Sequence, residues 1–256
     1  MTFLRELWVL TGRLLTHNRR RPAFVIISIV QPLIWLLLFG HLFSGITQLP
    51  GFTGDSYVEY LAPGVAVMSA LFGSAYSGMA LLMDSERGIL DRLLATPVSR
   101  GALIGAYVAQ SGLIVMAQAT VIVLTGLAMG ASLGGGLPGF LAMLLAAFLI
   151  GSAFGALSNA LALVVHRHDA IIAIMNFTIL PLVFLSSMII SKDAMPGWIR
   201  NITLVNPVDW GVSMARNAFF GENWDIVALY AGMLALLTLL CVALAVKAFL
   251  RFMAKA

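Results

Sequence analysis

Charge is what this sequence has least of. Only 10% of its 256 residues are Asp, Glu, Lys or Arg, while 61% are hydrophobic; a soluble domain carries about 25% charged residues. So few charges cannot cover so much apolar surface in water, so lipid is the solvent for most of the chain. A single cysteine, Cys241, excludes a disulfide framework. No Gly-x-x-x-x-Gly-Lys-Ser/Thr stretch occurs, and no Gly precedes any Lys, so the usual phosphate cradle is missing. The common metal-ligand spacings are missing too. The sequence therefore offers no catalytic, cofactor-binding or metal-binding residue. His166-Arg167-His168-Asp169 reads as a group of interfacial charges and His41 as structural. The net charge of +4 does not point to nucleic acid, because the basic residues sit at the edges of apolar runs rather than along one stripe.

Long apolar runs are what the sequence has in abundance. Six of them, at about 23–43, 60–83, 102–129, 140–165, 170–190 and 226–246, contain no Lys, Arg, Asp or Glu. Each is long enough to cross a bilayer as a helix. The uncharged stretch after Arg100 is too long for one crossing, and Gly134-Gly135-Gly136-Leu137-Pro138-Gly139 supplies the turn that divides it. The expected fold is an all-α integral membrane protein, one transmembrane domain over 1–256 with six spans. The first run follows Arg19-Arg20-Arg21 and lacks a small-residue cleavage site, so it reads as a span and not a signal peptide. Twelve of the 15 Lys and Arg fall on the side that holds both termini. The positive-inside rule places that side in the cytoplasm of a cell (inner) membrane.

The segments between the runs carry the information about function. Phe3, Leu7, Leu10 and Leu14 recur at helical spacing before the first run, beside Trp8 and Arg residues, as in a helix lying in the headgroup layer. Between the second and third runs, Ile89, Leu90, Leu93 and Leu94 form one apolar face of a short helix over 84–96, and Arg87 and Asp91 form an i,i+4 pair. Pro97 ends that helix. A docking surface for a cytoplasmic partner and a helix lying flat on the membrane both account for it. The connection over 191–225 reads as two short amphipathic helices parted at Asn206-Pro207, with Trp198, Trp210 and Trp224 as interfacial anchors. Asp209 and Arg216 read there as exposed charges. Gln31-Pro32, Asn176 and Pro181 interrupt spans, and read either as packing kinks or as a substrate path or subunit seam. Gly101/Gly105 and Gly151/Gly155 have the spacing of close helix contacts. Because no run carries an acid, an ion-coupled engine within the spans is disfavoured.

These residues resemble the type-2 ABC transporter permeases, including bacterial daunorubicin-type antibiotic-resistance exporters. The likeness rests on the basic amphipathic leader and on Glu86-Arg87-Gly88 through Thr96-Pro97-Val98-Ser99-Arg100. It also rests on Asn206-Pro207-Val208-Asp209-Trp210, followed by Arg216-Asn217 and Phe219-Phe220-Gly221. The resemblance covers essentially the whole chain. It implies that 84–96 is a coupling helix docking on a separate ATPase, through Glu86, Arg87, Ile89, Leu90, Asp91, Arg92, Leu93, Leu94, Thr96 and Pro97. It implies external helices around Trp198, Asn206, Pro207, Trp210 and Arg216. Two ATPase copies, which bind ATP and Mg, would pair with this chain and a second permease. The cargo would be a drug, lipid or other amphiphile, moved outward. The competing readings are an ATPase-independent channel or ion-coupled carrier, and an intramembrane enzyme.

Overall fold

The computed structural model describes residues 3–19, 22–43, 45, 56–96 and 98–254, with side chains throughout except over 17–28. Every regular element among them is helical. In chain order these are α1 (Phe3–Arg19), α2 (Pro22–Leu42), α3 (Tyr57–Ala75), α4 (Ser77–Glu86), α5 (Ile89–Leu94), α6 (Arg100–Ala128), α7 (Gly136–Val165) and α8 (His168–Phe184). A 3-10 turn (Lys192–Ala194), α9 (Gly197–Thr203), α10 (Pro207–Phe220) and α11 (Trp224–Met253) complete the chain.

Four helical stretches are long and apolar enough to cross a membrane: Tyr57–Glu86, Arg100–Ala128, Gly136–Val165 and Trp224–Met253. The first and fifth expected runs fall on shorter apolar helices, Ile29–Leu42 and His168–Phe184. Local chemistry explains the boundaries. The Gly-rich stretch after α6 makes the turn, and Pro138 falls in the first turn of α7, where no helical N–H is lost. The Asn206 side chain accepts from Val208 N at 3.0 Å and Pro207 opens α10, the cap that Asn-Pro predicts. Gly221 closes α10 at φ +75.

The helices pack around two apolar clusters. One holds Leu61, Leu71, Ile122, Ile150, Met175, Val212 and Phe219, from α3, α6, α7, α8 and α10. The other holds Leu10, Leu81, Leu90, Ile104, Tyr107, Ala245 and Phe249. Because it takes in α1, α5 and the end of α11, this second cluster marks the end of the bundle near both termini, here called proximal; the first extends to the distal end. Both glycine pairs are points of close approach. A Cβ on Gly151 or Gly155 would collide with Val115 or Ser111 of α6. Gly105 and Gly101 receive Leu7 and Phe3, so part of the leader's apolar stripe, with Leu10 buried, lies against α6. Trp8 and Leu4 are left exposed on another side of α1.

Three expectations about α-helical extent change. The helix expected over 84–96 is two: α4 ends at Glu86, Gly88 takes the left-handed conformation at φ +65, and α5 has six residues. The second run is divided at Tyr76. The fifth stops at Phe184, and the chain through Ile190 is irregular and largely buried. Side chains from distant helices replace the helical hydrogen bonds there.

Candidate functional site

At the proximal end, α5 is held by one residue. Leu90 is fully buried among the proximal cluster, whereas Leu93 and Leu94 are half-buried at its edge and Ile89 is half-buried beside it in sequence. Leu90 is therefore an anchor, and the expected apolar docking face is only partly available. The exposed face consists of Glu86, Arg87, Asp91, Arg92 and Thr96. Among the described residues no ion pair joins Arg87 to Asp91. The left-handed Gly88 between them destroys the i,i+4 geometry that the sequence suggested. Both charges are thereby left to solvent. The Thr96 hydroxyl donates to the Leu93 carbonyl at 2.5 Å and closes the helix. Pro97 lies outside the described residues.

Three contacts from other elements hold the segments on either side of this helix, and none was evident in the sequence. Tyr107 of α6 donates to Asp84 Oδ2 at 2.6 Å. Ser99 N donates to Glu6 Oε2 of α1 at 2.9 Å, which holds the Glu6 carboxyl below its ordinary value. His168 Nε2 of α8 lies 3.3 Å from Glu86 Oε1. Arg167 and Asp169 pair at 2.6 Å, and the guanidinium lowers the Asp169 carboxyl in turn. The His-Arg-His-Asp run thus lies at the surface, and its His168 reaches Glu86 of α4. Among the described residues no group of three His, Cys, Asp or Glu could hold a metal.

At the distal end the structure corrects the reading of α10. Asp209 is fully buried and Arg216 is partly so, where the sequence suggested two exposed charges. The helix packs into the bundle against α7, α11 and α3, so the face carrying Asp209, Ser213 and Arg216 turns inward beside Val212. Asp209 accepts from Ser187 N at 2.8 Å and pairs with Lys192 at 2.5 Å. Arg216 Nη2 donates to the carbonyls of Ser187 at 2.9 Å, Tyr60 at 3.3 Å and Met188 at 3.4 Å. Its guanidinium carbon sits 3.6 Å from the Tyr60 ring centroid. Tyr60 and Tyr57 hydroxyls donate to the Ser187 and Ile189 carbonyls at 2.9 and 3.2 Å. Asn206 Nδ2 donates to the Leu182 and Leu185 carbonyls at 2.7 and 2.8 Å. These side chains satisfy an irregular backbone that could not otherwise be buried in an apolar bundle.

The remaining sequence-selected residues separate. Trp210 is half-buried and donates from Nε1 to the Leu204 carbonyl at 2.8 Å, while Trp198 is exposed. Gln31 and Pro181 are exposed on α2 and α8, so the structure does not gather them with Asn176. Asn176 is half-buried and accepts from the Tyr76 hydroxyl at 2.7 Å. Nor are all acids excluded from the packed helices. Glu59, in the first turn of α3, is buried and accepts from Ser132 N and Oγ at 2.7 and 2.6 Å.

Comparison with known proteins places this architecture. The profile of the ABC-2 type transporter family matches residues 5–220. A transport permease, ycf38, of Cyanophora paradoxa is 32% identical over 87% of this chain and 77% of its own length. A daunorubicin-resistance ABC transporter permease of Streptomyces coeruleorubidus is 27% identical over 87% of this chain and 77% of its own. A doxorubicin-resistance ABC transporter permease of Mycobacterium tuberculosis is 23% identical over 95% and 87%. The four long apolar helices and the match across most of the chain agree: this protein belongs to the ABC-2 type transporter family of membrane permeases.

Proposed function

We propose that this chain is the membrane subunit of an ATP-driven exporter that moves a drug, lipid or other amphiphile outward from the cytoplasm or inner leaflet. A separate ATPase, in two copies, binds ATP and Mg and supplies the work, and a second permease completes the complex. The chain crosses the cell membrane six times, with α2 and α8 as the shorter crossings and both termini in the cytoplasm.

The observation that carries this reading is the build of α5. A six-residue helix is fastened to the bundle by Leu90 and presents Arg87, Asp91 and Arg92 to solvent on the proximal side. A connection that only joined two spans would need neither the buried anchor nor the three polar contacts that hold the segments on either side of it. A rigid charged projection is what a partner's groove can grip and move. The proximal end is the one that the distribution of Arg and Lys assigns to the cytoplasm, where ATP is available. Asp209 does not favour an ion-coupled carrier, because Lys192 and the Ser187 amide already occupy its oxygens.

The test is co-purification with an ABC ATPase co-expressed from a neighbouring gene. Arg87→Glu/Arg92→Glu should abolish ATPase capture while the permease remains folded and monodisperse. Normal capture by the charge-reversed variant would disprove docking through α5.

A further inference from the structure

The longest composite helix is broken where no proline explains it. α3 and α4 together run from Tyr57 to Glu86, yet Tyr76 between them takes φ −105 and ψ 12. Pro63, the proline of α3, lies well before the break. Helix breaks have identifiable causes, and here they are polar side chains from two other helices. Ser158 Oγ of α7 accepts from Gly78 N at 3.1 Å, and Ser77 Oγ donates to the Gly155 carbonyl at 3.1 Å. The Tyr76 hydroxyl donates to Asn176 Oδ1 of α8 at 2.7 Å. Gly78 permits the approach, since a Cβ there would collide with the Ser158 carbonyl.

The break also falls where the two apolar clusters meet. The buried apolar residues of α3, from Tyr57 to Ala75, belong to the distal cluster. Leu81 of α4 belongs to the proximal one together with Leu90 of α5, whereas Leu82 belongs to the distal one and Met79 packs against it. Beyond Tyr76 the chain therefore passes from the distal cluster into the proximal one. Helix α8 lies beside α4 and is joined to it by a polar contact at each end, Tyr76 to Asn176 and Glu86 to His168. The buried residues of α8, Ile171, Met175, Ile179 and Val183, all belong to the distal cluster. Phe177, next to Asn176, is 83% exposed. So α8 is seated in the distal cluster alone, α4 straddles both, and the two helices meet through hydrogen-bonding groups at each end.

We infer that Tyr76 is a hinge about which α4 and α5 swing as one lever, and that its hydroxyl bond to Asn176 is the latch holding α8 against that lever. Hinges are a few residues at element ends that absorb the backbone change, and Tyr76 has that position. The latch accounts for Asn176, a polar residue in an apolar span. The force on the lever rests on the reading of α5 as the ATPase-docking helix; the latch itself does not.

Both can be measured on the intact permease in lipid nanodiscs. In a Cys241→Ser background, nitroxides at Ala80→Cys and Phe177→Cys report the α4–α8 separation, and a pair at Ala80→Cys and Arg92→Cys reports the lever. All of these positions but Cys241 are exposed. Tyr76→Phe keeps the ring and removes the donor. One hydrogen bond is worth about a two- to twelvefold change in an equilibrium. Without nucleotide, Tyr76→Phe and Asn176→Leu should each raise a longer α4–α8 distance population by roughly that factor, while the Ala80–Arg92 distance stays fixed. Distributions that superimpose on the wild type would overturn the latch. A shift in the Ala80–Arg92 pair would place the flexing at Gly88 and overturn the hinge. With the ATPase bound, ATP and vanadate should populate the same longer distance in the wild type; no change would overturn the lever. If the ATPase does not bind at all, the docking proposal fails, and the nucleotide-free measurement still decides the latch.

Discussion

Replacing Lys192 by Met should destabilise this permease more than replacing its partner, Asp209, by Asn. Asp209 is fully buried, with Lys192 Nζ at 2.5 Å and Ser187 N at 2.8 Å, whereas the Lys192 side chain is 29% exposed. Removing the ammonium leaves a carboxylate that cannot reach water. Arg216 on the same helix is already turned to the carbonyls of the irregular 187–188 backbone. Breaking a buried pair from this side costs about 3–5 kcal/mol. Asp209→Asn removes the buried charge, keeps an acceptor for Ser187 N–H, and leaves a lysine that can turn to solvent. Its cost is about 1–2 kcal/mol, the scale of a weakened hydrogen bond. The double variant should resemble Asp209→Asn, giving a coupling of roughly 3–5 kcal/mol between the two sites. The assay is thermal unfolding of the purified permease in detergent. For a chain of this size 1 kcal/mol moves the midpoint by about 2–4 °C. Lys192→Met should therefore lose roughly 6–20 °C and Asp209→Asn about 2–8 °C. Equal losses, or additive ones in the double variant, would refute the reasoning.

Other expectations follow from the same contacts. Leu90→Ala should destabilise the permease by about 2–5 kcal/mol, seen as a lower melting midpoint, whereas Arg92→Glu should leave the midpoint unchanged and reduce only ATPase capture. Glu6 is held below its ordinary value of 4.5 by the Ser99 amide, so its contribution is present above that value and lost as pH falls toward the lowered one. Hydrogen exchange at the Ser99 amide should accelerate over that acid window in the wild type and show no such step in Glu6→Gln. Gly78→Leu should separate α4 from α7, because a Cβ already meets the Ser158 carbonyl, and a cross-link between the two helices should lose most of its yield.

Much of the distal architecture was legible because its signals are local. Asn206-Pro207 announces an N-cap and first turn in two adjacent residues, and the Gly-rich stretch after α6 announces a turn. Residues whose role depends on a partner far along the chain were not legible. Leu90 and Leu93 look alike in periodicity, yet only Leu90 is fully buried in the proximal cluster, while Leu93 stays half-buried at its edge. Asp209 and Arg216 share the flank of an amphipathic helix, and nothing near them indicates that α3, α7 and α11 surround it. The break at Tyr76 was hidden for the same reason: its cause is Ser158 and Asn176, about 80 and 100 residues later.

The sequence by itself determined that lipid surrounds this chain, that its backbone must be helical, and that a charged element stands between the second and third apolar runs. Those follow from composition and from the need to satisfy every backbone group without water. Only the tertiary structure decided which side of that element is available. It divides the expected helix at Gly88, sinks Leu90 into the bundle and leaves Arg87, Asp91 and Arg92 outside. Periodicity can say that a helix has an apolar face; what that face meets is set by chain segments brought together only on folding.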